Sequence, residues 1–192
     1  MKKIIEIFDL DGTVICSKHR VKHDLLDGVF NVFKYITECN TPELIAKDQL
    51  LPLARYMQKK AQEGSEFAIL TARCLDSHDI EFLIKNGLIN GKTLLISRQG
   101  IDKATSDLPD APYKVKQFKR IQAHYGADNH FILYEDMPDI LEAMHDQGVT
   151  CIDAIELNRE LKAEPPEFNN VIVKEKLLPR LMDSLFVTGS FT

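Results

Sequence analysis

The sequence lacks the features that mark several large classes of protein. No stretch approaches the roughly 18 consecutive apolar residues that a membrane span requires, so no membrane partner is expected. Met1-Lys2-Lys3 is followed by only a short apolar run before Asp9 interrupts it, so no secretory signal is expected and the default location is cytoplasmic. The four cysteines, Cys16, Cys39, Cys74 and Cys151, stand far apart without a C-x-x-C pair. That spacing disfavours a zinc site or a dithiol redox motif and predicts free thiols in a reducing compartment. Internal repeats and low-complexity tracts are also missing. Positive charge is not in excess: the formal net charge is −5, which gives no global reason to expect a polyanionic partner but leaves room for a local basic stripe.

What is present is enough for one ordinary globular domain. With 192 residues, 44% hydrophobic and 28% charged, the chain can bury a sizeable core but has little room for a second full domain. A single domain over 1–192 with a small insertion is therefore expected. Composition does not bear on the oligomeric state.

Ile4, Ile5, Ile7 and Phe8 form a nearly continuous β-branched and aromatic run that ends in an Asp-Gly turn signal, as a buried parallel strand does. Similar runs follow at residues 67–70, 93–96, 131–134 and 149–152. Between them lie helical patterns. One starts at Thr41-Pro42-Glu43 and continues through Leu50, Leu53, Ala54 and Met57 to Gly64. Others carry Ile80, Leu83 and Ile84; then Val115, Phe118 and Ile121; then Ile140, Leu141 and Met144. Alternation of strand and helix predicts an α/β fold with a doubly wound parallel sheet. Residues 14–49 are read as a small cap or flap inserted after the first strand. Residues 158–192 are read as a loop around Pro165-Pro166, a strand at Val171-Ile172-Val173 and a closing amphipathic helix.

In such sheets ligands bind beyond the carboxyl ends of the strands, so the residues that follow each strand are the candidates. They are Asp9 and Asp11 after the first, Thr71, Ala72 and Arg73 after the second, and Glu135, Asp136 and Asp139 after the fourth. Lys114 and Lys116 begin a helix just before that last strand. This set suits phosphoryl transfer through a covalent aspartyl phosphate, in which cations must offset the repulsion between carboxylate and phosphate. Asp9 is the candidate nucleophile and Asp11 the general acid and base. Gly12 lets the chain turn sharply between them and the rest of the loop. Thr13 is a candidate to shape the loop and meet the substrate. Thr71 and the Ala72 N–H are placed to hold phosphoryl oxygens, and Arg73 to reach a second anionic group. Magnesium takes oxygen ligands, for which Asp9, the carbonyl of Asp11 and Asp136 suffice.

Phe-Asp-Leu-Asp-Gly-Thr, Ile-Leu-Thr-Ala-Arg, a lysine and Leu-Tyr-Glu-Asp, in that order between residues 4 and 139, resemble the four motifs of the haloacid dehalogenase superfamily. The resemblance implies a Rossmann-like core and the family's roles for Asp9, Asp11, Thr71, the motif lysine and Asp136. The second aspartate implies a phosphatase rather than a dehalogenase. Glu135 stands where many members carry an aspartate, which leaves Glu135 or Asp139 in a supporting role. The lysine is open between Lys114, which follows Tyr113, and Lys116, which lies 20 residues before Asp136; Lys114 is preferred, with Lys116 kept as a substrate contact.

Several residues have plainer readings. His19 and His23 are spaced for a metal, but Lys18, Arg20 and Lys22 surround them, so Lys18 to His23 is read first as a solvated face and second as a contact for a polyanionic substrate. Lys116, Lys119 and Arg120 are read as an exposed helix face. The short cap predicts an open mouth, and the arrangement resembles the phosphatase half of polynucleotide kinase/phosphatase proteins without the G-x-x-x-x-G-K-[ST] loop of their kinase half. The expected substrates are nucleic-acid ends or nucleotides. A small-metabolite phosphatase is the nearest rival, and a non-catalytic binding protein on the same fold the rival of another class.

Overall fold

The structure is a computed structural model and describes residues 2–21, 25–26, 29–30, 38, 40–98 and 108–163. In chain order its strands are β1 (Ile4–Phe8), β2 (Ile15–Cys16), β3 (Leu25–Leu26), β4 (Val29–Phe30), β5 (Gln49–Leu50), β6 (Ala68–Leu70), β7 (Leu94–Ile96), β8 (His130–Glu135) and β9 (Thr150–Asp153). Its helices are α1 (Lys18–Val21), α2 (Pro42–Ile45), α3 (Ala54–Gln62), α4 (Ser77–Lys85), α5 (Asp110–Tyr125), α6 (Pro138–His145) and α7 (Ala154–Ala163). Five strands form one parallel sheet in the order β7-β6-β1-β8-β9.

The apolar runs become strands because both faces of this sheet are covered. Alternate residues point to opposite sides. Ile5 and Ile7 of β1, with Leu70, Ile96 and Leu133, pack against Phe118 and Ile121 of α5 and Met144 of α6. Phe8, Ile69, Tyr134 and Ile152 pack on the other side against Met57 of α3, Leu83 of α4 and Leu161 of α7. The sheet is therefore doubly wound, as the pattern predicts. Glu6 breaks the run: its buried carboxylate accepts hydrogen bonds from the hydroxyls of Tyr56 (2.8 Å) and Tyr134 (2.7 Å) and pairs with Lys60, which makes its burial tolerable. No sequence pattern pointed to that cluster.

Three expectations change. The helix expected from residue 41 to 64 is two helices, α2 and α3. Between them Gln49–Leu50 pairs antiparallel with Ile15–Cys16, and Leu51 donates to the Val14 carbonyl at 3.0 Å. Pro52 disfavours helical geometry at Leu51, which allows the extended segment. Residues 158–163, expected as loop, complete α7. Leu157 and Leu161 bury one face of that helix, and Asn158 joins it to the core by accepting from the Leu53 N–H (2.8 Å) and donating to the Thr13 carbonyl (2.8 Å). Finally, Arg20 is not on a solvated face. It is fully buried, with Nε and Nη2 on the two oxygens of Asp48 at 3.0 and 2.5 Å and Nη1 on Asn40 at 2.7 Å.

Cys16, Cys74 and Cys151 are free thiols. Lys22, His23 and Cys39, much of the expected cap, and the tail from 164 with its expected strand and helix lie outside the described residues. No helix among the described residues is long and apolar enough to cross a membrane.

Candidate active site

The register pairs Phe8 with both Ile69 and Tyr134, so Asp9, Thr71 and the Glu135-Asp136 pair leave the sheet at the same edge. Asp9 is 4% exposed, and its backbone N–H donates to the Tyr134 carbonyl at 3.0 Å. From α5, Lys114 places its Nζ 2.6 Å from Asp9 Oδ1 and 2.6 Å from Glu135 Oε2. Glu135 is fully buried, and its other oxygen accepts from the Met137 N–H at 3.3 Å. One ammonium group thus bridges two carboxylates that the chain separates widely.

Asp9, Glu135 and Asp136 present carboxylate oxygens within 4.8 Å of one another. Lys114 pairs with two of these three acids, Asp9 and Glu135. Burial pushes the pKa of Asp9 up to about 8; Lys114 opposes this, while Glu135 and Asp11 add to it. Burial also raises Asp136, to about 6, with the charge of Asp9 acting in the same direction. For Lys114 burial works against the charged form, but Asp9 and Glu135 outweigh it and hold its pKa above the ordinary value. A site with this surplus of hard oxygen donors fits a divalent cation. Both oxygens of Glu135 are engaged, by Lys114 and by the Met137 N–H, whereas Lys114 meets Asp9 through Oδ1 alone; Asp9 and Asp136 are therefore the carboxylates best placed to hold one.

Gly12 explains why the first loop can lie against this cluster. Its φ is +76°, and a Cβ built there would stand 2.0 Å from Asp136 Oδ2. Gly12→Ala is expected to lower stability by about 1–3 kcal/mol through backbone strain alone and to displace Asp136, with turnover falling at least tenfold. Thermal unfolding and steady-state rates on the same preparation check both effects.

Asp11 does not join the acidic cluster. Arg73 holds it: Nε donates to Oδ2 at 2.8 Å and Nη2 pairs with Oδ1, which also accepts from the Ser17 hydroxyl. Burial raises the pKa of Asp11, but the charge and hydrogen bonds of Arg73, with the Ser17 bond, bring it below the ordinary carboxylate value. The Arg73 guanidinium also meets Asp79 at 3.0 Å and Asp48 at 3.5 Å, and its side chain is 3% exposed. The expected reach of Arg73 to a second anionic group of a substrate is thus corrected: three carboxylates enclose it. Asp48, Asp79 and Arg20 were missed in the sequence because none belongs to a local motif; each gains its meaning from pairing across the fold.

Thr71 is buried at the end of β6, where its Oγ1 accepts from the Arg73 N–H at 3.1 Å. Ala72 is half-buried beside it. The Thr13 side chain is fully buried, and its hydroxyl has no hydrogen-bond partner among the described residues. Lys116 is exposed, two residues around α5 from the buried Lys114. A signal separating the two lysines was present: Lys114 falls on the apolar stripe of Ala111, Phe118 and Ile121, and Lys116 does not. Asp139 is exposed in the first turn of α6, so Glu135 is the acid that supports the lysine.

A parallel sheet that gathers these motif residues at one end is a Rossmann-like core of the kind found in haloacid dehalogenase-like hydrolases. The fold is similar to a haloacid dehalogenase-like family hydrolase of Streptococcus pneumoniae, with a TM-score of 0.50 and 13% identity over 78% of this chain and 84% of that one. It is also similar to a chain in the structure of the Pnkp1/Rnl/Hen1 RNA repair complex, with a TM-score of 0.51 and 21% identity over 79% of this chain; the match spans 42% of that longer chain. At these identities the likeness concerns the fold. In sequence the chain is 30% identical over 187 residues to the 5′-deoxynucleotidase of Escherichia phage T5, covering 90% of this chain and 76% of that protein. The chain belongs to the bacteriophage T5 5′-deoxynucleotidase family, whose model matches residues 1–181.

Proposed function

We propose that this chain is a magnesium-dependent phosphomonoesterase that removes the 5′-phosphate of deoxynucleotides through an aspartyl-phosphate on Asp9. The observation that carries the chemistry is the Lys114 ammonium at 2.6 Å from both Asp9 and Glu135, beside Asp136. The substrate class rests on the 5′-deoxynucleotidase relative at 30% identity. Family membership favours an enzyme over the non-catalytic binding protein weighed from the sequence.

In the first step an Asp9 carboxylate oxygen bonds to phosphorus and the ester P–O bond breaks; the departing 5′ oxygen takes its proton from Asp11, which must first leave its Arg73 pairing and be protonated from solvent. In the second, Asp11 takes a proton from water, the water oxygen attacks phosphorus, and the bond to Asp9 breaks, releasing inorganic phosphate. Lys114 stabilises the charge that builds on the phosphoryl group, and Glu135 keeps the lysine charged and aimed. Thr71 and the Ala72 N–H hold phosphoryl oxygens. Arg73 sets the position and ionisation of Asp11, favouring the carboxylate needed in the second step. Asp9, Asp136 and the Asp11 carbonyl would hold a magnesium ion, which when bound would supply the charge neutralisation an anionic nucleophile needs to approach an anionic phosphate.

The test is a substrate panel with and without chelator: deoxynucleoside and ribonucleoside 5′-monophosphates, 3′- and 5′-phosphorylated oligonucleotides, and sugar phosphates. Deoxynucleoside 5′-monophosphates are expected to give the highest kcat/KM, and chelation to abolish turnover until magnesium is restored. Faster turnover of oligonucleotide ends or sugar phosphates would refute the substrate assignment, and chelator-resistant turnover the metal requirement.

A further inference from the structure

We propose that Arg98 is a positioning residue for this site, locking the loop that carries Thr71, Ala72 and Arg73 to the helix that carries Lys114. Arg98 lies two residues beyond β7, the edge strand next to β6, and outside every motif in the sequence. Its backbone N–H donates to the Arg73 carbonyl at 3.1 Å, and its Nε donates to the Ala72 carbonyl at 3.1 Å. Two consecutive carbonyls of the loop are therefore held by one residue. The peptide plane between Ala72 and Arg73 is gripped at both edges, since its N–H donates to Thr71 Oγ1 at 3.1 Å. Arg98 thereby also bears on the orientation of the Thr71 hydroxyl.

The other end of the same guanidinium fastens the start of α5. Nη1 donates to the Leu108 carbonyl at 2.7 Å and Nη2 to Asp110 Oδ1 at 2.7 Å, where Asp110 is the first residue of the helix. The N-cap position, Pro109, contributes no side-chain bond to that end. The guanidinium also lies 4.4 Å from the centre of the Tyr113 ring, a cation–π contact with a residue that is 1% exposed and directly precedes Lys114. A planar fork with several fixed donors can serve the loop, the helix end and the ring at once, whereas a lysine cannot. The Arg98 side chain is 10% exposed, so its bonds to the Ala72 and Leu108 carbonyls are largely shielded, while its partner Asp110 faces solvent.

The consequence for the reaction, which rests on the phosphatase reading above, is geometric. Thr71 and Lys114 must meet one phosphoryl group from two separate elements, and a misplacement of about 1 Å can reduce the rate about 100-fold. Arg98 connects those elements through its hydrogen bonds to the loop at one end of its guanidinium and to the start of α5 at the other. Its loss relaxes their alignment without removing any group that touches the substrate.

The experiment compares wild type, Arg98→Ala, Arg98→Lys and Asp9→Asn in steady-state hydrolysis of a deoxynucleoside 5′-monophosphate, with melting temperatures measured in parallel. For Arg98→Ala, kcat is expected to fall about 10- to 100-fold with KM little changed, the signature of an interaction that matters in the transition state. Arg98→Lys is expected to recover little of the loss, and millimolar methylguanidinium, far below denaturing levels, to restore part of the activity of Arg98→Ala. A merely structural role would lower the melting temperature without a rescuable kcat defect. If Arg98→Ala is insoluble, Arg98→Lys carries the same kcat test. The inference fails if kcat of the soluble variant stays within about twofold of wild type while Asp9→Asn is inactive, or if KM alone rises. Turnover that persists in Asp9→Asn overturns instead the nucleophile on which the inference rests.

Discussion

Asp9→Asn is expected to reduce kcat by at least about 10⁴-fold while leaving the protein as stable as wild type, or more stable, when metal is chelated. The loss follows from removing the attacking oxygen, since an amide cannot replace a carboxylate at phosphorus. The stability is less obvious. Asp9 is buried near Glu135 and Asp136, and burial together with neighbouring negative charge pushes its pKa up to about 8. The asparagine keeps the shape of the side chain and, unlike the carboxyl, can bring no negative charge into that crowd at any pH. Lys114 does not become an isolated cation, because Glu135 still holds it at 2.6 Å. Function and stability are thus expected to move in opposite directions, as they do where a site is built for charge the fold would prefer not to bury. Melting temperatures in chelator, set beside single-turnover rates, check this. An Asp9→Asn protein that melts well below wild type would show that Asp9 and Lys114 form a net stabilising pair.

The reverse substitution in the pair is expected to be costly. Lys114→Met fills the same channel in the core but leaves Asp9 and Glu135 buried without their shared cation. Removing one partner of a buried ion pair typically lowers stability by about 3–5 kcal/mol, because the other charge is stranded. Here two carboxylates are stranded, 6% and 0% exposed at their side chains. Lys114→Met is therefore expected to shift the urea midpoint strongly downward and to abolish turnover. Combining it with Glu135→Gln is expected to recover a large part of the stability and none of the activity, since the two positions are in contact and do not act additively. A Lys114→Met protein as stable as wild type would mean that the bridge contributes nothing to the fold.

Much of the fold was legible because its signals are local. The run from Ile4 to Phe8 reads as a buried strand from five residues, and the structure places it in the middle of the sheet. The helix from 41 to 64 was misread for the same reason: Leu50, Leu53 and Met57 keep a helical spacing, while the pairing of Ile15 with Leu50 that breaks it comes from a distant segment. Arg20 shows the limit from the other side. Among Lys18, His19 and Lys22 it looks like part of a solvated basic face, yet Asp48, 28 positions away, draws it fully into the interior. Glu6 likewise looks like an interruption of a strand until two tyrosine hydroxyls are seen to meet it.

The sequence by itself determined the order of the elements and the edge at which the chemistry collects. Hydrophobic periodicity is a property of neighbouring residues, and parallel strands joined by helices deliver all their carboxyl ends to one side. Asp9, Thr71 and Asp136 were therefore placed together before any contact was known. Only the tertiary structure decided which charge meets which. Lys114 reaches Asp9 across 105 positions and Arg73 reaches Asp11 across 62. Hydrogen bonds and ion pairs depend on distances of a few ångströms and on direction. Those distances are set by how α5 and the loop after β6 pack on the sheet, which no local spacing encodes.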